Sequence, residues 1–215
     1  MRTEAARQHM IYNQVRTWDV VDKTVLATLA SVPRERFVPE EFRHLAFADI
    51  SIPLPCGQTM LKPVVEGRLL LNLDVRESDR VLIIGTGSGF MTACVAKRAD
   101  RVTSIEIHRQ LADDAMAKLA DEQIYNVDVI TADFNGYVPS HDFDRILVAG
   151  SMPLFDARLP EWLKPQGKLL MIVGQAPTMT VELVQRDGDH YTRTGLFETV
   201  VQKLENVPEP PPFKF

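Results

Sequence analysis

The spacing of hydrophobic residues changes near residue 80. Before it, apolar positions recur at helical intervals between turn-formers. "EAARQHMIYNQVRTW" (4–18) and "DKTVLATLAS" (22–31) read as two helices, the second with Asp22 as N-cap and Val25, Leu26 and Leu29 on one face. "VPRERFVPEEFRHLAF" is broken by Pro33 and Pro39, which predicts short turns and helices. "PVVEGRLLLNL" (63–73) predicts a further helix with Pro63 in its first turn.

From residue 80 the runs become continuous. "RVLIIG" ends in glycine and predicts a strand buried on both faces. "FMTACVAKRA" reads as a helix and "RVTSIEI" as a strand. "HRQLADDAMAKLADEQ" is a helix with Leu111, Ala115 and Leu119 four residues apart. "VDVITAD", "FDRILVAG" and "GKLLMIVG" are three more strands. This alternation predicts an α/β fold with a mostly parallel, doubly wound sheet. "TVELVQRDGDHYTRTGLFETVVQKL" departs from it: two strand-like runs flank Asp187-Gly188, a hairpin signal, so antiparallel strands are expected to close one edge. The tail "VPEPPPFKF" is proline-rich, which predicts an extended or loosely attached segment. The expected organisation is one domain, with an N-terminal helical and loop cap over 1–75, an α/β core over 78–205 and the tail over 206–215.

Composition narrows the function classes. An apolar fraction of 45% over 215 residues supplies a core, and the formal net charge of −5 disfavours a protein that tracks nucleic-acid phosphates. Lys and Arg form no block. No apolar run approaches the length of a membrane helix, and the N-terminus lacks a signal peptide's apolar stretch. Cys56 and Cys94 show no metal-type spacing and the histidines are dispersed, so a cytoplasmic protein with reduced thiols and no metal site is expected. Oligomeric state is not legible.

The candidate chemistry lies in "VLIIGTGSGF" (81–90). Gly85, Gly87 and Gly89 stand between a buried strand and a helix, where absent side chains let a ligand approach the backbone. A plain strand-to-helix turn is the alternative. A dinucleotide fingerprint would have glycine where Phe90 stands, and no Gly-Lys-Ser/Thr follows to make a phosphate loop. The pattern suits a nucleoside ligand without phosphates, such as S-adenosylmethionine. Glu106, ending the next strand 21 residues after Gly85, is placed to accept hydrogen bonds from ribose hydroxyls, or is a solvated strand-end acid. Asp133, at the end of the third strand, reads as an adenine neighbour or as a turn cap.

"VPRERFVP", "FADISIPL", "GQT", "RVLIIGTGSGF" and "FDRILVAGSMP" occur in the order of blocks in the protein-L-isoaspartate O-methyltransferase family, and the chain resembles that family over most of its length. The resemblance implies a class I, Rossmann-like methyltransferase fold that uses S-adenosyl-L-methionine. The implied activity is methylation of the free carboxylate of isoaspartyl residues in damaged proteins or peptides. It also implies roles. Gly85, Thr86, Gly87, Ser88 and Gly89 would form the cofactor loop, Glu106 would hold the ribose, Ile107 would also contact the cofactor, and Asp133 and Phe134 would lie at the adenine. Thr59 and Leu61 would border the methyl group, and Pro53, Leu54, Ala149 and Gly150 would line the acceptor cleft.

The chain also departs from the family pattern. The loop "GQTMLKP" (57–63) has Leu61 where the family carries the serine credited with catalysis, and Lys62 where it carries glutamine. Ile83 replaces an acid, and "ADFNG" replaces Gly-Asp-Gly. Three readings stay open: isoaspartyl transfer with Thr59 or a backbone donor replacing the hydroxyl; transfer to another acceptor, with Lys62 engaging an acidic group; and cofactor binding with little transfer.

Overall fold

In a computed structural model that describes residues 2–188 and 190–211, the apolar runs assemble into one sheet. β1 (Ile52–Pro53) and β2 (Thr59–Met60) form a separate short antiparallel pair. The main sheet contains β3 (Arg80–Ile84), β4 (Arg101–Glu106), β5 (Val127–Thr131), β6 (Phe143–Met152), β7 (Leu163–Gln175), β8 (Thr178–Asp187) and β9 (His190–Thr199), in the spatial order β5-β4-β3-β6-β7-β8-β9. β3 through β7 run parallel, and β8 is antiparallel to both β7 and β9. The expected hairpin at Asp187-Gly188 is therefore present and closes one edge. β9 is its outer strand, largely exposed and carrying His190, Arg193 and Glu198, charges and polar groups that discourage further strand pairing.

The helices sit where the pattern expects them. α1 (Arg2–Met10) continues without a break into a π-helical turn over 11–15 and a 3₁₀ turn over 16–18, ending at left-handed Asp19. The predicted first helix thus exists, with a changing pitch. α2 (Lys23–Ser31) is capped by Asp22, whose carboxylate accepts from the Thr24 and Val25 N–H groups. α3 (Arg34–Phe37), α4 (Pro63–Leu73), α5 (Phe90–Ala96), α6 (Arg109–Asp121) and α7 (Arg158–Glu161) complete the set.

Alternation along β3 divides the core. Val81 and Ile83 join the cluster that includes Leu69 and Leu70 of α4, Val95 of α5, Leu111 of α6 and Ile11 and Leu29 of the N-terminal helices. Leu82 and Ile84 face Phe134, Leu159, Leu169 and Val207. One face is covered by regular helices, and the other by a 3₁₀ turn, the short α7 and the chain that follows β9. Val207 is buried there, so the start of the proline-rich tail is anchored in the core; residues 212–215 lie outside the described residues. No helix among the described residues is long and apolar enough to cross a membrane.

β4 pairs with one side of β3 and β6 with the other, so the strand order reverses at β3. In open α/β sheets, the crevice beyond the C-terminal ends of the strands at such a reversal is where ligands bind.

Candidate active site

A cleft opens at that reversal. Its walls include Gly85 and Gly87 after β3, Glu106 and Ile107 after β4, Asp133 and Phe134 after β5, and Ala149 and Gly150 on β6. Thr59 and Leu61 enter from the other side, with Gln58. Residues scattered over nearly a hundred positions of sequence therefore converge because parallel strands all end at one edge.

Each part has a local cause. Gly85, Gly87 and Gly89 all have positive φ, 93°, 53° and 85°, which a side chain disfavours. The Gly85 N–H is tied to the Ile105 carbonyl at 2.9 Å, holding the loop against β4. Gly89 is the N-cap of α5, and a Cβ there would lie 3.0 Å from the Ala115 Cβ, so its task is close packing of the loop on α6. Thr86 and Ser88 turn away from the cleft. The Thr86 hydroxyl is 2.7 Å from that of Ser104, and Ser88 Oγ accepts from the Phe90 N–H at 3.3 Å. Both side chains buttress the loop from beneath.

Glu106 is buried, and its two oxygens do different work. Oε2 accepts from the Gly87 N–H at 2.8 Å, and Oε1 from the His108 N–H at 3.0 Å. A carboxylate oxygen has two lone-pair directions, so each retains one for a ligand hydroxyl. Asp133 shows the capping alternative directly: Oδ1 accepts from the Asn135 N–H at 2.9 Å, and Oδ2 from Asn206 Nδ2 at 2.7 Å. It still forms part of the cleft wall beside buried Phe134.

The loop from β1 to α4 lies over the open side. Ile52 pairs with Met60 and Pro53 with Thr59, while the Leu54 N–H donates to the Gln58 carbonyl at 2.8 Å. Leu54 packs against the glycine loop, 3.6 Å from where a Gly87 Cβ would stand. Pro53 is exposed, and Lys62 precedes α4 as its exposed N-cap residue. Thr59 is exposed at the cleft, and Leu61 presents a nearly buried apolar side chain to it.

Sequence reasoning missed one wall. After β9 the chain crosses the strand ends, and Gln202, Lys203, Leu204 and Glu205 all line the cleft. The Gln202 carbonyl and Leu204 N–H bracket Ser151 at 2.9 Å each. Leu204 lies over two glycines, its Cδ2 3.3 Å from a Cβ built on Gly85 and 2.7 Å from one on Gly150. Glu205 Oε1 accepts from Gln58 Nε2 at 2.7 Å and stands 2.7 Å from His108 Nε2. Gln202 Nε2 donates to the Gly57 carbonyl at 2.8 Å. "VQKLEN" carries no motif. The available signal was the pair of small residues, Gly85 and Gly150, that require something to pack on them.

The cleft fits S-adenosylmethionine in kind: it offers a buried acid, exposed loop backbone and an apolar floor at Ile84 and Phe134.

The match to known proteins agrees with this architecture. The family model for protein-L-isoaspartate(D-aspartate) O-methyltransferase matches residues 5–202. The chain is 37% identical to the protein-L-isoaspartate O-methyltransferase of Opitutus terrae over 87% of its length and 82% of that protein. It is 38% identical to protein-L-isoaspartate O-methyltransferase 1 of Rhodopseudomonas palustris over 94% of its length and 81% of that protein. A Plasmodium falciparum structure assigned to the same enzyme class, solved with S-adenosyl-L-homocysteine, shares the fold with a TM-score of 0.79 at 20% identity, covering 93% of this chain and 98% of that one. The chain belongs to the protein-L-isoaspartate (D-aspartate) O-methyltransferase family.

Proposed function

We propose that this protein is an S-adenosylmethionine-dependent methyltransferase acting on the free carboxylate of isoaspartyl residues in proteins or peptides. The observation that carries the reading is the convergence of the glycine loop, Glu106 and the Thr59–Leu61 loop on one cleft. Glu106 would hold the ribose through its free lone pairs, and Asp133 and Phe134 would flank the adenine. When bound, S-adenosylmethionine supplies a sulfonium methyl; an O–C bond to the carboxylate forms as the S–C bond breaks, giving a methyl ester and S-adenosylhomocysteine.

The acceptor carboxylate, with a reference pKa near ~4, is ionised at neutral pH and needs no base. The chain's own task is alignment and exclusion of water. Thr59 supplies a hydroxyl donor at the cleft, Leu61 an apolar wall, and Leu204 covers the glycines behind it. The test is transfer of labelled methyl to an isoaspartyl peptide, with the aspartyl isomer as control and cofactor affinity measured by calorimetry. Transfer to the isoaspartyl peptide alone is expected. Equal labelling of both, or of neither, contradicts the proposal.

A second reading, transfer to a different acceptor, is favoured by Leu61 itself, whose side chain brings no hydrogen-bond donor to the cleft.

A further inference from the structure

Arg34 is fully buried, an unusual position for a guanidinium, which is rarely enclosed without a task. It enters the core from α3, behind the loop that borders the cleft. Its Nη2 donates to the Leu61 carbonyl at 2.7 Å, and Nη1 lies 3.2 Å from Met60 Sδ. Its Cζ stands 5.2 Å from the ring centroid of Phe90, the residue that follows Gly89 and opens α5. One side chain thus touches both the Met60–Leu61 segment and the helix that issues from the glycine loop.

The countercharge is Glu66 of α4, also buried, with Oε2 3.4 Å from Arg34 Nη2. That contact is poorly aligned: Glu66 Oε2 has no hydrogen-bond donor and Arg34 Nε no acceptor. Burial raises the Glu66 carboxyl to about 7, against the pull of Arg34 and with the push of Asp49. A buried pair with unmet hydrogen bonds is a poor stabiliser compared with apolar side chains of similar volume. What Arg34 does make well is the bond to the loop carbonyl.

We propose that Arg34 is a positioning residue for methyl transfer, fixing the acceptor loop at a set distance from the glycine loop through the Leu61 carbonyl and the Phe90 ring. The inference rests on the methyltransferase reading above. β1 and β2 span two residues each and cannot hold the loop by themselves. The glycine loop is held independently by Ile105 and Glu106. Transfer between groups carried by two such loops depends on their separation, and a misplacement of roughly 1 Å can cost about 100-fold in rate. Lysine cannot substitute, because a single ammonium lacks the planar fork that spans a carbonyl and a ring face.

The experiment compares the wild type with Arg34→Lys and with the double variant Arg34→Met/Glu66→Leu, which replaces the pair by apolar volume. Melting temperature, S-adenosylmethionine affinity, kcat and KM on an isoaspartyl peptide, and hydrogen exchange over residues 54–62 are measured. The double variant is expected to melt no lower than wild type and to bind cofactor within about threefold. Its kcat is expected to fall at least ~10-fold with little change in KM, and exchange over 54–62 to rise. Wild-type kcat and exchange in that folded variant overturn the proposal. Should the wild type itself fail to methylate the peptide, the functional reading falls, and the exchange comparison alone decides the role of Arg34: faster exchange supports it and unchanged exchange overturns it.

Discussion

Gly87 and Glu106 are joined by a 2.8 Å hydrogen bond from the loop N–H to the carboxylate, while the second carboxylate oxygen accepts from the His108 N–H. The acid that would hold the ribose is thus already ordering the loop that would receive the rest of the cofactor. Glu106→Gln keeps the shape but puts an NH₂ where one of two acceptors stood, leaving a buried N–H unmet. The expected cost is about 1–3 kcal/mol, seen as a lower melting temperature and roughly 10- to 100-fold weaker cofactor binding by calorimetry.

Gly89 and Gly57 share positive φ but differ in surroundings. A Cβ on Gly89 meets Ala115 at 3.0 Å, whereas one on Gly57 meets nothing within 4 Å. Alanine at either position carries left-handed strain of roughly 1–2 kcal/mol. Gly89→Ala should lose more, about 2–4 kcal/mol in total, by denaturant titration. Equal losses would show that packing on α6 is unimportant.

Leu61→Ser returns a hydroxyl to the cleft. The expectation is a kcat/KM on isoaspartyl peptide about 10-fold above wild type, as a charge-assisted hydrogen bond is worth roughly 1.5–3 kcal/mol. A stability loss of about 2 kcal/mol accompanies it, because Leu61 is nearly buried. An unchanged kcat/KM in a folded variant would assign acceptor binding to other groups, Thr59 first among them.

The pH dependence of stability follows from Glu66. Burial raises its folded-state pKa to about 7 from an ordinary value of 4.5, so the folded protein holds a proton that the unfolded chain has released between those values. Stability from this group is full below about pH 4.5 and is lost as pH rises through about 7. Glu66→Gln should flatten that slope between pH 5 and 8 in denaturant titrations. An identical slope in the variant assigns it to other groups.

Much of this architecture was legible in the chain. The strands announced themselves because a parallel sheet covered on both faces requires unbroken apolar runs, and "RVLIIG" and "FDRILVAG" have no other economical reading. Asp22 was legible because capping is a local event. Gly85, Gly87 and Glu106 were found because loop geometry and strand ends fix them in sequence. Arg34 was not, since inside "VPRERFVP" it resembles any surface charge, and only packing reveals that it alone of that group of charges is enclosed. The wall formed by residues 202–205 was hidden for a different reason. Its side chains have no ligand chemistry of their own, and their position depends on a hairpin whose far end is anchored at Ser151. Leu54 stands 3.6 Å from where a Gly87 Cβ would lie, a contact between distant segments that spacing cannot carry.

The path of residues 202–205 has a consequence for how the protein comes into being. During synthesis the glycine loop and Glu106 leave the ribosome long before Leu204 and Glu205 do. A nascent chain that ends within β9 already holds every strand of the parallel sheet, yet lacks the cover over Gly85 and Gly150. The cleft is therefore walled on this side only once residues 202–205 have been made, and a product truncated before them would display a half-built pocket.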